Sequence, residues 1–504
     1  MTCSELLSTL AHIRHLITHK FAMNTRLCHF SCQKWTFGQK TMDSWLNEEL
    51  SGCAFKDQRL TTRFKSIVAC LSEKSGKSIP EICEEWASTK AFYRFLSNER
   101  VEASEILAGH FEQTMCRVKS IKGPCLVLHD TTEFIYNRKK PLSNNSSPLS
   151  STNKQYDVGF GKDYKTGSIL LQASLAITLE GLPLGLTSTK FWTRKGSDPD
   201  KELKKKNSPT CMPAEAKESI KWQESLNTTH KLLGCHASKV IHVSDRESDI
   251  YDYMCNCHEL NAYFIVRSSV NRLTEESTLV DEVALTKRAF KHMINYQDAN
   301  GNNIEATLNI KIKQLKIKAS RNNKQSCYPE LPITVVSAVE VDRPVDREPI
   351  KWTFLTNLPV SNKEESLSVI DWYKQRWKIE VYFKVLKSGL KVEESKLRTA
   401  ERLTRLIAIC CILAWRIHWL TMLNREDRRL APKLAFDNVE RLILENYIKK
   451  KKPETLQDYI LRLAKLGGYL ARSNDPPPGN TVIWRGLNRL YELKAGFELA
   501  QNCG

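Results

Sequence analysis

Three short apolar runs set the possible folds of this chain: PCLVLHD (124–130), KVIHVSD (239–245) and AYFIVRSS (262–269). Each has the length and apolar content of a strand, and KVIHVSD leads into a helical stretch. SILLQASLAITLEGLPLGLTSTKFW (168–192) reads as two more strands joined by a Gly-Leu-Pro turn. Strands interleaved with helices predict an α/β domain with a partly parallel sheet. From about 270 to 360 a polar, strand-rich stretch (NIEATLNIKIKQLKIKA, LPITVVSAVEV, KWTFLTNLPV) reads as an insertion.

The flanks are helical. From 42 to about 115, WLNEEL and RLTTRFKSIVACLSEKSG carry apolar residues at three- and four-residue spacing. In SIPEICEEWA, Ser78 is placed as a cap, with Pro80 near the first turn and Glu81 three residues on. KAFYRFLSN and a helix over about 102–117 complete this unit. Long helices follow from 365 to 425, then a basic break (IKKKK, 448–452) and a helical end around Pro-Pro-Pro-Gly (476–479). LIAICCILAW (406–415), closed off by Arg405 and Arg416, falls short of the roughly eighteen apolar residues a membrane span needs and reads as a buried helix. NNSSPLSS (144–151) reads as a flexible loop. Residues 1–41, without clear periodicity, read as an extension upstream of a structured chain opening at Met42. The expected order is therefore extension (1–41), helical domain (42–117), α/β core (118–425) with its insertion, and C-terminal helical domain (426–504).

Charge narrows the partner. Lys and Arg number 76 against 57 Asp and Glu, a formal net charge of +19, and such an excess points first to nucleic acid. A membrane surface competes, but the basic residues run through folded-looking sequence instead of a tail. The sixteen cysteines have neither paired zinc spacing nor a disulfide framework, which fits a reducing, cytoplasmic setting. LCHFSC (27–32) lacks a second ligand pair and reads as free thiols.

Asp130 and Asp245 each close an apolar strand-like run, at the sheet edge where ligands gather. An acid held there suits a divalent cation such as magnesium, and it also suits a turn or helix cap. A third acid, Glu380, sits within YKQRWKIEVYFKVLKSG (373–389). On one continuous helix over 368–389, Tyr373, Glu380 and Lys387 fall within about 40° of each other, and Arg376 and Lys384 widen the sector to about 80°. Glu380 and Lys384 form a favourable i, i+4 pair, which leaves the other three residues unexplained. Trp377 and Phe383 lie off this face and are expected in the core.

Tyr373-x2-Arg376-x3-Glu380-x6-Lys387 resembles the signature of bacterial insertion-sequence transposases of the DDE type. HDTTEF (129–134) and SDRESDIYDY (244–253) resemble the blocks around that family's two catalytic aspartates, and residues 45–98 its N-terminal DNA-binding domain. LGGYLARSNDPPPGN through WRGLNRLYEL (466–493) is similar to the C-terminal domain of the transposon-five group. The resemblance implies a ribonuclease-H-like core in which Asp130, Asp245 and Glu380 bind two Mg²⁺ or Mn²⁺ ions. It also implies cut-and-paste transposition through end cleavage, a hairpin, its resolution and strand transfer. Tyr373, Arg376 and Lys387 would grip phosphates beside Lys384, and Trp352 would stack on a flipped base. Arg246 and Arg267 match basic positions near the active site. Arg59, Arg63 and Arg94 match or neighbour DNA contacts of the N-terminal domain, which departs from its relatives at Leu60 and Glu73. The implied partners are the terminal inverted repeats, target DNA and a second copy of the chain on paired ends, in a bacterial, nucleoid-associated setting without a membrane. Two other readings stand beside it: a DNA-binding inhibitor or decayed relative that no longer cuts, and a metal-dependent phosphatase or hydrolase using the same acids.

Overall fold

The computed structural model describes residues 45–53, 55–136, 158, 167–194, 218–297, 303–319, 328–341, 344, 347–425, 430–448 and 452–502. The extension 1–41, the NNSSPLSS loop and most of the IKKKK break lie outside them. Along the chain the helices and strands are α1 (Trp45–Glu49), α2 (Gln58–Glu73), α3 (Ile79–Cys83), α4 (Trp86–Leu96) and α5 (Ala103–Ser120), then β1 (Cys125–Tyr136), β2 (Gly167–Thr178) and β3 (Pro183–Trp192). Next come α6 (Ile220–Leu233), β4 (Val240–Ser244), α7 (Tyr251–Glu259), β5 (Tyr263–Arg267), α8 (Leu279–Leu285), β6 (Ala289–Gln297), β7 (Asn303–Lys318), β8 (Glu330–Glu340) and β9 (Lys351–Thr356). The last helices are α9 (Lys363–Lys374), α10 (Trp377–Lys384), α11 (Ala400–Leu423), α12 (Asn438–Tyr447), α13 (Leu456–Leu466) and α14 (Asn480–Asn502). The chain divides into two compact units, one built from the described parts of 119–130 and 202–377, the other from those of 36–118, 131–201 and 378–504.

In the first unit β1, β4 and β5 run parallel, as the apolar runs predict. Their flanking helices bury Trp222, Leu226, Tyr253 and Met254 against Phe264 and Leu355. Full burial of each such side chain contributes roughly 1.5–3 kcal/mol. Beyond β5 the order continues β9-β8-β7-β6, all antiparallel. β9, expected within the insertion, pairs directly with β5 from Ile265↔Thr356 to Arg267↔Phe354. Its Phe354 and Leu355 are fully buried, which only a central position in the sheet allows.

The second unit holds the N-terminal helices, the β2–β3 hairpin and the C-terminal helices. Ser78 caps α3 through the expected box: its backbone N–H and hydroxyl both donate to Glu81 Oε2, at 2.8 and 2.6 Å. Phe55, Phe64 and Phe95 meet with ring centroids 5.5–6.0 Å apart and hold α2 against α4. The hairpin turns at Gly181, whose φ of +97° excludes most side chains. A buried ion network spans α1, α5 and β3: Arg117 forks onto Glu49 at 2.8 and 2.9 Å and also donates to the Leu184 carbonyl. His110 bonds Glu49 through Nδ1 and accepts from Leu186 N–H at 2.9 Å through Nε2. α11 is long and apolar enough to cross a membrane by length and composition, yet its whole apolar window is buried in the structure, as for a core helix. α13 and α14 cross so closely that a Cβ on Gly486 would lie 2.1 Å from the Leu463 carbonyl oxygen.

Candidate active site

The two aspartates stand on neighbouring parallel strands. β1 and β4 pair from Cys125↔Val240 to Leu128↔Val243, and the same register carried two residues further sets Asp130 beside Asp245. Adjacent strands lie about 4.8 Å apart, so these carboxylates share one level and one face of the sheet.

Their local settings differ. β1 does not stop at Asp130, as the apolar run suggests, but continues to Tyr136; what ends there is burial, complete from Cys125 through His129 and partial at Asp130. Asp245 closes β4 and caps the following turn, accepting from Glu247 N–H at 2.9 Å. Both sequence readings of Asp245, cap and edge carboxylate, therefore describe the same residue. Burial pushes its pKa up and nearby Glu247 adds to this, while the Glu247 N–H bond and Arg376 pull it down.

Arg376 does not sit on a continuous helix. α9 ends at Lys374, residues 375 and 376 form a turn, α10 begins at Trp377, and residues 385–389 wind as a π-turn in which Leu390 N–H reaches the Val385 carbonyl at 2.9 Å. The single-face geometry expected over 368–389 is thus interrupted twice. The break turns Arg376 inward, 9% exposed, with Nη1 at 3.3 Å from Asp130 Oδ2. It turns Trp377 outward, 63% exposed, against the core position expected for it; Phe383 is buried as expected. A π-turn widens the helix by one residue and often marks a functional segment.

Tyr373 is buried instead of lying open as a phosphate contact. Its ring lies 4.5 Å from Phe354, which in turn lies 6.2 Å from Trp352. Burial raises the phenol's pKa, opposed by Arg376 and by Arg267, which also hydrogen-bonds it. Arg267 is half-buried at the end of β5, with Nη2 at 3.5 Å from the Lys351 carbonyl. Trp352 is half-buried on β9, and Arg246 is exposed next to Asp245. The first unit thus gathers Asp130, Asp245, Arg267, Tyr373 and Arg376. Sequence reasoning missed Phe354 and two buried histidines, His129 and His242, whose only signal is a polar ring inside an apolar strand.

In the second unit Glu380 lies half-buried in the first turn of α10, Lys384 is exposed, and Lys387 Nζ stands 5.8 Å over the Phe134 ring. Arg59, Arg63 and Arg94 are exposed on α2 and α4, together with Lys90, Tyr93 and Trp86, the last 78% exposed. Exposed basic and aromatic side chains suit contacts with a nucleic-acid backbone and its bases.

Among the described residues no three His, Cys, Asp or Glu side chains are gathered for a metal ion. The donor chemistry of the aspartate pair nevertheless fits Mg²⁺ or Mn²⁺, which binds through one or two carboxylates and fills its other positions with water and substrate phosphate. The two carboxylates thus stand on neighbouring parallel strands beside a largely buried arginine. Residues 42–101 match the family described as Transposase DNA-binding, and residues 223–416 match that described as Transposase DDE domain. The chain thus joins a transposase DNA-binding domain to a transposase DDE domain. The first match takes in Arg59, Arg63 and Arg94; the second takes in Asp245 and Glu380, and Asp130 precedes it.

Proposed function

We propose that this protein is a DNA transposase that cuts at the ends of an insertion sequence and joins them to target DNA by metal-assisted phosphoryl transfer on a ribonuclease-H-like core. The observation that carries the reading is the shared level of Asp130 and Asp245, with Arg376 at 3.3 Å from Asp130, in a chain with both transposase domains. Asp130, Asp245 and Glu380 would hold two Mg²⁺ or Mn²⁺ ions, which when bound activate a water or 3′-hydroxyl and neutralise charge at the leaving oxygen. Arg376 pairs with Asp130 and offers the rest of its guanidinium fork to a phosphate oxygen. Arg267 and Tyr373 orient the neighbouring backbone, Arg246 adds charge at the entrance, and Lys384 and Lys387 hold phosphates along the end. Trp352, backed by Phe354, would stack on an unpaired base when the cut end closes into a hairpin that is later resolved. The helices bearing Arg59, Arg63 and Arg94 would bind the terminal inverted repeats, and the C-terminal helices would pair two copies on two ends.

The test is cleavage of a donor fragment carrying the element's ends in Mg²⁺, by the wild type and by Glu380→Ala. Cutting by the wild type alone is expected. Binding without cutting by both would instead favour a DNA-binding inhibitor or decayed relative. Phosphatase-like activity with salt-insensitive behaviour towards DNA would favour a small-molecule hydrolase, because phosphate-dominated binding weakens steeply with salt.

A further inference from the structure

His129 and His242 are 1% and 0% exposed, on the two strands that bear the aspartates. His129 Nε2 lies 2.8 Å from His242 Nδ1, and the two rings stack with centroids 5.1 Å apart. Side chains alternate along a strand, so His129 points away from the face that Asp130 occupies, as His242 points away from that of Asp245. The β1–β4 register pairs Val127 with His242 and so puts the two histidines on one common face. His230 of α6 closes this face, its ring 5.6 Å from that of His242. At 2.8 Å one ring nitrogen donates its N–H and the other accepts it, so a single N–H joins the two rings.

We infer that the His129–His242 hydrogen bond is a cross-strand clamp that fixes the separation of Asp130 and Asp245 for metal binding. The physical need is specific. The β1–β4 register runs from Cys125↔Val240 to Leu128↔Val243 and β4 ends at Ser244, so Asp245 follows the last residue of its strand. A metal site tolerates displacement of only about 0.5 Å in its donors. A side-chain bond one residue before Asp130 and three before Asp245 ties the two strands close to both aspartates. The histidines touch neither substrate nor ion and act as positioning residues. The inference rests on the metal site proposed above.

The test is Mn²⁺ binding to the full chain, followed by electron paramagnetic resonance, in His129→Phe, His242→Phe and the double variant, with Asp130→Ala as reference. Phenylalanine keeps the stacked ring and deletes the bond. Each single variant is expected to bind Mn²⁺ about tenfold more weakly, with the double no worse than either single, while binding of an end fragment without metal is unchanged. His129→Gln, whose amide nitrogen reaches the place of Nε2, is expected to recover affinity to within about threefold. Wild-type Mn²⁺ affinity in folded phenylalanine variants overturns the clamp. If those variants fail to fold, His129→Gln against His129→Asn decides it: asparagine is too short to bridge, so equal Mn²⁺ affinity of the two again overturns the clamp. If Asp130→Ala binds Mn²⁺ as the wild type does, the metal site itself is lost and the clamp with it, a failure distinct from unaltered histidine variants on a working Asp130 site.

Discussion

Arg376 Nη1 lies 3.3 Å from Asp130 Oδ2, with both side chains largely shielded from water, at 11% and 16% exposure. A guanidinium at that distance pairs with the carboxylate, and in the proposed site it would also offer positive charge to a transferring phosphoryl group. Removing it by Arg376→Ala is expected to lower single-turnover end cleavage by about 10²–10³-fold with end binding retained, the scale of losing one preorganised charge-stabilising group. Arg376→Lys should recover only part, because a point charge lacks the fork. An unaltered cleavage rate in Arg376→Ala would remove it from the active site.

Glu380→Gln keeps volume and polarity while deleting the charge. End cleavage is expected to fall to background, at least about 10³-fold, while gel-shift affinity for the same fragment stays within about twofold. Substantial cutting by the variant would exclude Glu380 as a metal ligand.

The exposed cations of α2 and α4 should act through phosphates. Arg63→Ala and Arg94→Ala are each expected to weaken binding of different DNA sequences about equally and to reduce the slope of log affinity against log salt by about 1. A loss confined to the element's ends would instead assign base contact. Titration of affinity across a range of salt distinguishes the two.

Acid should loosen the second unit at a known place. Burial alone would raise the Glu49 pKa, but Arg117 and His110 outweigh it and hold the carboxyl near 2, against an ordinary 4.5. Its stabilising contribution is therefore present above about 4.5 and is lost as the pH falls from there towards 2. His110 has its pKa lowered by burial despite Glu49, so the fold also loses stability as acid charges it below its usual 6.5. The urea midpoint is expected to fall steadily from pH 7 to pH 3. Glu49→Gln should flatten the limb below 4.5. It should also cost about 3–5 kcal/mol at pH 7, because it strands a buried arginine.

The α13–α14 crossing gives a steric prediction. A methyl at Gly486 would lie 2.1 Å from a backbone oxygen that cannot rotate away. Gly486→Ala is expected to destabilise the protein by about 1–3 kcal/mol or more, read as a lowered thermal midpoint. Alanine at Gly479, whose added Cβ meets nothing within 4 Å, is the control that should leave it unchanged.

Much of this architecture is written locally. The Ser78–Glu81 cap, the Gly181 turn and the strands before Asp130 and Asp245 depend on residues a few positions apart, and periodicity and turn chemistry find them. Asp130, Asp245 and Glu380 could be named because unusual acids in apolar or basic surroundings stand out in one dimension. The helix over 368–389 was misread for a physical reason. Helical periodicity cannot register a two-residue break or a π-turn, since apolar and charged residues keep nearly the same spacing through both. That break decides that Arg376 faces Asp130 and that Trp377 faces solvent.

By itself the sequence determined the alternation of strands and helices, the surplus of positive charge, the capped N-terminal helices and the identity of the candidate acids. Only the tertiary structure decided that Asp130 and Asp245 share a level, that β9 joins β5, that Tyr373 is buried against Phe354, and that two histidines meet behind the aspartates. These relations join residues far apart in the chain. They are set by strand register and burial, and those are fixed only when the sheet assembles.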